Sequence, residues 1–75
     1  MRNADTVKMD LEGKWWTRRD EMVEELESLD YSVIEANDEI ITITDDHDEC
    51  EEYNLYIGHA GCTMWVEEVR KAVTV

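Results

Sequence analysis

Two His-x-x-Cys pairs have the residue types and spacing that come closest to a metal site. His47 precedes Cys50 by three positions, and His59 precedes Cys62 by three. Two histidines and two cysteines make a four-ligand zinc set in composition. However, a predicted strand over residues 53–58 separates the two pairs by roughly 20 Å, at about 3.3 Å per residue. We therefore expect no joint zinc site and no disulfide between the two cysteines.

The segment Asp45–Glu52, called the acidic block below, offers the carboxylates that a calcium loop uses. It lacks the central glycine and the regular ligand spacing of an EF-hand, so we expect no dedicated calcium site and no cofactor. His59 and Cys62 have the types of a base and a nucleophile, but the sequence shows no group to orient the histidine and no oxyanion motif. We therefore predict that the protein is not an enzyme, and we expect no small-molecule ligand.

Charge is distributed very unevenly along the chain. From residue 20 to residue 69 there are seventeen Asp and Glu and neither Lys nor Arg. The two flanking segments each carry a net charge of +2, and the whole chain carries −13. Such a protein repels bare nucleic acid and anionic membranes and attracts basic proteins, more weakly as salt rises. The sequence therefore predicts a basic protein partner, with no direct binding to nucleic acid and no membrane association.

Length and composition predict one small folded domain over residues 1–75, with a loose polar end at residues 1–5. Hydrophobic residues make up 43% of the chain and include three tryptophans, which is enough to form a core. No apolar run has the length of a membrane span, and no signal-peptide pattern opens the chain. Two cysteines do not make a disulfide scaffold, so we place the protein in a cytoplasm.

Hydrophobic periodicity predicts the elements that hold these groups. Residues 6–11 alternate and indicate a short strand, which residues 12–14 break. Residues 15–29 indicate a helix that starts near Thr17, with a start at Lys14 as the alternative. Its apolar face would consist of Met22, Val23, Leu26 and Leu29.

Three predicted strands follow this helix. Residues 31–36 and 39–44 indicate a hairpin around Asn37-Asp38, and residues 53–58 form the third strand after the acidic block, which we predict as a loop. The hairpin register directs Ile34, Ile41 and Ile43 toward the helix. It leaves Tyr31, Val33, Ile40, Thr42 and Thr44 on the opposite, open face.

The last segment, residues 64–73, has helical spacing with Thr63 as its cap, and a strand at residues 62–66 is the alternative. The predicted fold class is α+β, a small antiparallel sheet of three to four strands with helices on one face. The element order would be αβββα or βαβββα. Of the adjacent Trp15 and Trp16, we expect one to be buried and one to be partly exposed and available for binding.

In size, charge and element order the chain resembles the small acidic phage-encoded inhibitors that imitate DNA, among them anti-CRISPR and anti-restriction proteins. A duplex carries one charge per about 1.7 Å, so thirteen charges correspond to roughly 22 Å of duplex. The resemblance implies a non-enzymatic inhibitor in the host cytoplasm that blocks the basic groove of a CRISPR effector or restriction enzyme. The partner-binding residues would be Asp45, Asp46, Asp48, Glu49, Glu51 and Glu52, with Glu21, Glu24, Glu25, Glu35, Asp38 and Glu39 beside them.

Two other functions fit the same composition. A salt-adapted structural or interaction protein would also be rich in Asp and Glu and poor in Lys, without any mimicry. A cation-binding module would use the acidic block itself. A homodimer is compatible with each of these functions.

Overall fold

The computed structural model describes residues 3–45 and 48–72, with side chains described for all of these except residues 48–50. In this part of the chain, two helices precede a four-stranded antiparallel sheet with the strand order β1-β2-β3-β4. The predicted α+β class, with a sheet of three to four strands, is confirmed. The elements are α1 (Ala4–Leu11), α2 (Arg19–Ser28), β1 (Tyr31–Ala36), β2 (Ile40–Asp45), β3 (Asp48–Ala60) and β4 (Thr63–Lys71).

The first element is a helix, so the predicted strand over residues 6–11 is wrong, and so is the loose end for the described residues 4–5. Asn3 caps the helix, since its side chain accepts a hydrogen bond from the Thr6 N–H at 2.9 Å. Val7 and Leu11 are buried, whereas Met9 is exposed. The alternation at positions 7, 9 and 11 was misleading because positions 7 and 11 also lie one helical turn apart.

A tight turn separates the two helices, as residues 12–14 predict. Gly13 has a φ of +79°, which other residues rarely adopt. The Lys14 N–H donates to the Leu11 carbonyl at 3.3 Å across this turn. The turn and the segment after it carry the chain across the sheet to the start of α2.

Helix α2 begins at Arg19, two residues after the predicted cap. The Thr17 hydroxyl donates to the Glu21 carboxylate at 3.0 Å and does not cap the backbone. Arg18 occupies the cap position without a side-chain hydrogen bond. The apolar face predicted for this helix is confirmed, with Met22 and Leu26 buried and Val23 and Leu29 half-buried.

The β1–β2 hairpin turns one residue later than predicted. The Asn37 N–H donates to the Ile40 carbonyl at 2.9 Å. The Asn37 side chain accepts from the N–H groups of Glu39 and Ile40 at 2.9 and 2.8 Å. Asn37 thus forms the turn through its side chain, and Ala36 pairs with Ile41.

A bulge between Val33 and Glu35 reverses the predicted faces of residues 31–34. The later turn moves the pairing by two residues and by itself leaves the faces unchanged. Ile34 was predicted to face the helix, but it is 54% exposed. Tyr31 and Val33 were predicted on the open face, but Tyr31 is buried and Val33 packs against the core. The predictions for β2 are confirmed, with Ile41 and Ile43 in the core and Ile40, Thr42 and Thr44 half-buried on the opposite face.

The last element is strand β4, so the predicted helix is wrong over the described residues 64–72. Gly61, with a φ of +63°, opens a two-residue turn that pairs Ala60 with Thr63. Glu67 has no partner on β3, because the register shifts between Tyr56 and Ile57. This bulge gives the apolar residues of a strand the three- and four-residue spacing of a helix. The strand that was the alternative at residues 62–66 is confirmed for residues 63–66.

Both helices cover the same face of the sheet, as predicted. Helix α1 packs against β4, and helix α2 packs against β1. Strand β3 runs between them and directs Tyr53, Leu55 and Ile57 inward, again as predicted. The buried apolar residues are Val7, Leu11, Trp16, Met22, Leu26, Tyr31, Ile41, Ile43, Tyr53, Leu55, Ile57 and Val69.

Tyr31 joins β1 to α1, since its buried ring ends in a hydroxyl that donates to the Asp10 carboxylate at 3.0 Å. We expect Tyr31→Phe to lower the free energy of unfolding by about 1–2 kcal/mol, because a hydrogen bond to a charged group is lost. Tyr56→Phe, on the open face, is the comparison and should lower it by less, because water competes for the contact between the half-buried Tyr56 hydroxyl and Arg70. Urea unfolding of both variants measures this, and equal effects would contradict the role of Tyr31.

Candidate partner-binding surface

The described residues of the acidic block, 45 and 48–52, lie on strands, so the predicted loop is wrong for these residues, and residues 46–47 lie outside the described part of the chain. Asp45 ends β2, residues 48–52 begin β3, and Asp45 pairs with Asp48. Thr44 pairs with Glu52, and the Thr44 hydroxyl donates to the Glu51 carbonyl at 2.9 Å. Acidic residues have low strand propensity, but here the ladder with β2 outweighs it.

The described carboxylates of the acidic block are mostly engaged within the protein. Asp45 is only 4% exposed. Glu51 forms an ion pair with Lys71 at 2.8 Å, and Glu52 is half-buried. The predicted partner residue Asp46 lies outside the described residues, as do the side chains of Asp48 and Glu49. The exposed charge that the structure describes is therefore found elsewhere.

Exposed carboxylates gather along α2 and the β1–β2 turn. Helix α2 packs against β1, and its ten residues span roughly 15 Å at about 1.5 Å per residue. This surface, called the acidic flank below, consists of Asp20, Glu21, Glu24, Glu27, Asp30, Glu35, Asp38 and Glu39, all of them exposed. It contains five of the twelve predicted partner residues, namely Glu21, Glu24, Glu35, Asp38 and Glu39.

Glu25 was also predicted as a partner residue, but the structure turns it away from the acidic flank. It is half-buried, and its carboxylate lies 3.4 Å from the Lys14 ammonium. Ser28 also donates to it, at 3.2 Å. Glu25 therefore connects the segment before α2 to the helix, and its role as a partner residue remains a prediction.

Among the described basic side chains, Arg18 and Arg19 reach the acidic flank. Arg18 lies 3.8 Å from Asp20, and Arg19 lies 3.8 Å from Asp38. Long, exposed ion pairs contribute about 1 kcal/mol or less, and salt screens them. The second pair connects the start of α2 to the β1–β2 turn, so the flank extends continuously from the helix to the hairpin.

The open face of the sheet is the second exposed surface. The Thr42 hydroxyl donates to the Asn54 side chain at 2.8 Å across β2 and β3. Arg70 lies 5.2 Å from the centre of the Tyr56 ring and 3.1 Å from the Glu68 carboxylate. The hydrogen bond that Arg70 donates to the Glu68 carboxylate, and then the negative charge of that carboxylate, raise the pKa of the Arg70 guanidinium above its usual value. This face is therefore polar and has a basic group that is already paired.

The two adjacent tryptophans divide as predicted, with Trp15 64% exposed and Trp16 6% exposed. Trp16 forms a bridge with the start of β4, since its N–H and carbonyl bond to Met64 at 2.9 and 2.7 Å. Next to this bridge lies an open groove of about 350 Å³, lined by Leu11, Gly13, Lys14, Trp15, Thr63, Trp65 and Val66. This groove was not predicted from the sequence, because it requires Trp65 to lie on a strand and the predicted element there was a helix.

The His-x-x-Cys pairs are only partly described. His59 lies near the end of β3, with its Nε2 atom 2.9 Å from the Asp38 carbonyl oxygen. Cys62 is a free, exposed thiol in the β3–β4 turn. His47 and the Cys50 side chain lie outside the described residues. Among the residues that are described, no three His, Cys, Asp or Glu side chains are grouped so as to hold a metal ion. The expectation that the two pairs form no joint zinc site therefore remains a prediction.

Two broader findings bear on the class of the protein. Within residues 3–45 and 48–72, no helix is long and apolar enough to cross a membrane. No known family model, curated protein or solved structure matches this chain.

The difference between the two tryptophans is directly testable. Trp16→Ala should lower the free energy of unfolding by about 3–5 kcal/mol, because it leaves a cavity between α1 and β4. Trp15→Ala is the matched control and should change it by less than about 0.5 kcal/mol, because its ring is largely in water. Urea unfolding followed by circular dichroism measures both, and a larger loss for Trp15→Ala would show that the burial is reversed.

Proposed function

We propose that this protein is a non-enzymatic inhibitor that mimics nucleic acid and occupies the basic nucleic-acid groove of another protein. The acidic flank supports this most directly, since it gathers eight exposed carboxylates along α2 and the β1–β2 turn. Four of these eight carboxylates lie on α2, which is roughly 15 Å long, and a duplex of that length carries about nine charges at one charge per about 1.7 Å. The flank, with Arg18 and Arg19 as its neighbouring cations, therefore has a charge density of the same order as that of a duplex.

The helical part of the flank is fixed by the core, which favours binding. Met22 and Leu26 fix α2 to the core, and the ion pair between Arg19 and Asp38 connects the helix to the hairpin. Carboxylates three or four residues apart on a helix lie about 5–6 Å from each other. A surface that is ordered before it meets its partner loses less entropy on binding.

The Asp and Glu residues of α2 destabilise the helix. Asp20 and Glu24, like Glu21 and Glu25, are like-charge pairs at i,i+4, each destabilising by roughly 0.2–0.5 kcal/mol. Glu27 lies near the end of the helix where negative charge is unfavourable, and the last turn has no basic residue. Solubility alone would be served as well by alternating charges, so this one-sided arrangement favours a role in recognition.

The class of target follows from the resemblance to small acidic DNA-mimicking inhibitors. The α+β fold of this chain is compatible with that resemblance. The partner would be a CRISPR effector, a restriction enzyme or another basic nucleic-acid-binding protein of the host. The protein would act in the host cytoplasm, as a phage-encoded inhibitor. Binding would depend on electrostatic attraction and would weaken as salt rises.

Salt adaptation is the second candidate function. The presence of exposed Asp and Glu outside the acidic flank favours it. Asp5, Glu12 and Glu67 are also exposed, and they lie outside the acidic flank. In a salt-adapted protein the whole acidic surface keeps the molecule hydrated, and self-repulsion unfolds it in dilute buffer. In a mimic only the part of the surface that faces the partner matters.

Far-UV circular dichroism against NaCl concentration separates the two candidates. We expect the mimic to remain folded near 0.1 M salt, where screening extends over about 10 Å. The core of twelve buried apolar side chains would then outweigh the self-repulsion of the surface. Folding only at molar salt would contradict the proposal and establish salt adaptation.

Two charge-matched triple variants test which surface binds. Glu21→Gln, Glu24→Gln and Glu39→Gln remove three charges from the acidic flank, whereas Asp5→Asn, Glu12→Gln and Glu67→Gln remove three charges elsewhere. At roughly 0.2–1 kcal/mol for each exposed pair, the flank variant should bind its target about 1–3 kcal/mol more weakly. The control variant should bind almost as the unmodified protein does.

The assay is cleavage of duplex DNA by purified CRISPR effectors and restriction enzymes in the presence of increasing amounts of each protein. We expect inhibition by the unmodified protein, relieved by excess duplex DNA that lacks the target site and by added salt. Equal inhibition by both triple variants would show that the acidic flank does not face the target. If none of the three proteins inhibits any of these enzymes, the target class is wrong.

A further inference from the structure

Strand β4 forms one edge of the sheet, and its backbone groups alternate between the sheet and the outside. The Ala72 N–H donates to the Glu52 carbonyl at 2.8 Å, so this pair of residues is bonded across β3 and β4. Bonded and non-bonded pairs alternate along an antiparallel ladder. Val69, which is opposite Leu55 and three residues before Ala72, therefore directs its N–H and carbonyl away from β3, toward the outer edge.

Only the start of this outer edge is covered in the part of the chain that the structure describes. Trp16 bonds to Met64 there, and no backbone partner on the outer side is found among the described residues for residues 65–70. An uncovered edge with free backbone groups is a template for pairing with another strand. The side chains of β4 determine which strand fits this edge.

The charges around Val69 are complementary to themselves. Glu68 precedes Val69 and Arg70 follows it, and both side chains are exposed. When two copies of β4 run antiparallel with Val69 opposite Val69, Glu68 of each copy lies opposite Arg70 of the other. Opposite charges in directly facing positions stabilise a strand pair. A twofold axis repeats the contact, so one surface patch serves both copies.

We propose that the outer edge of β4 pairs antiparallel with the same edge of a second copy of this chain, centred on Val69. The two sheets then form one continuous sheet. Arg70 is held in place before pairing, since it lies over the Tyr56 ring and bonds to Glu68. The acidic flank lies at β1, on the opposite edge of each sheet, and stays accessible in the dimer.

A pair of single charge reversals tests this register. Glu68→Arg places two arginines opposite two arginines, and Arg70→Glu places two carboxylates opposite two carboxylates. Each variant alone should dimerise about tenfold or more weakly, because two attractive contacts become repulsive. An equimolar mixture restores both contacts between chains while the pair within each chain stays broken, so the mixture should dimerise again. The double variant Glu68→Arg/Arg70→Glu should dimerise as the unmodified protein does.

Sedimentation velocity over a wide range of protein concentrations, at moderate salt to screen the net charge, is the measurement. We expect the unmodified protein to reach twice its chain mass of 8.8 kDa. Circular dichroism controls for folding, which these exposed substitutions should leave intact. A strictly monomeric protein, single variants that dimerise unchanged, or a mixture that stays monomeric would each overturn the proposal. Pairing of the β4 edge only with basic peptides added to the solution would also overturn the proposal.

Different results would contradict the proposed dimer and the proposed inhibitor function, on which the dimer does not depend. The triple variant of the acidic flank should still dimerise, because its substitutions lie far from β4. The Glu68→Arg variant should still inhibit through the flank, because each copy presents its own. Loss of dimerisation in the flank variant would contradict the edge pairing.

Discussion

Burial of a single face of the sheet is the constraint on which the rest of this structure depends. A chain of seventy-five residues cannot enclose a sheet on both sides, so it covers one face with two short helices and leaves the other in water. Helix α1 closes the side at β4 and helix α2 the side at β1, with β3 between them. The hydroxyl of Tyr31 connects the two halves by reaching Asp10 on α1. Each helix is thus fixed by the sheet more than by its own sequence.

The charge follows from this arrangement. With the inner face largely apolar, the described Asp and Glu side chains other than the buried Asp45 are found on helix surfaces, turns and strands outside the core. The few basic residues are used mostly to fix the chain, as Lys14 does with Glu25 and Lys71 with Glu51. Arg18 and Arg19 are the basic side chains that reach the acidic flank in the described part of the chain, so eight exposed carboxylates give this side of the molecule a strong negative potential.

Sequence patterns predicted the apolar face of α2 and the inward residues of β2 and β3, because each of these follows one unbroken period. The predictions of secondary structure were wrong where the helical and strand periods coincide, or where a bulge interrupts the period of a strand. Val7 and Leu11 fit a strand and a helix equally well, and the cap at Asn3 was the neglected signal. The bulge at Glu67 made β4 resemble a helix, and the bulge at Ile34 moved β1 to its other face. Five residues of the acidic flank were named from sequence, but the burial of Asp45 depends on pairing across the sheet, which composition does not reveal.

The strand order has a consequence for how the molecule folds. In a meander every strand pairs with its neighbour in sequence, so the loops that must close are short and the sheet can form early. Helix α2 has only ten residues and repelling carboxylates, and a helix of that length is marginal in water by itself. We therefore expect the hairpins to form in the transition state and α2 to dock late. The spacing of its carboxylates would then be established last, when β1 is already in place.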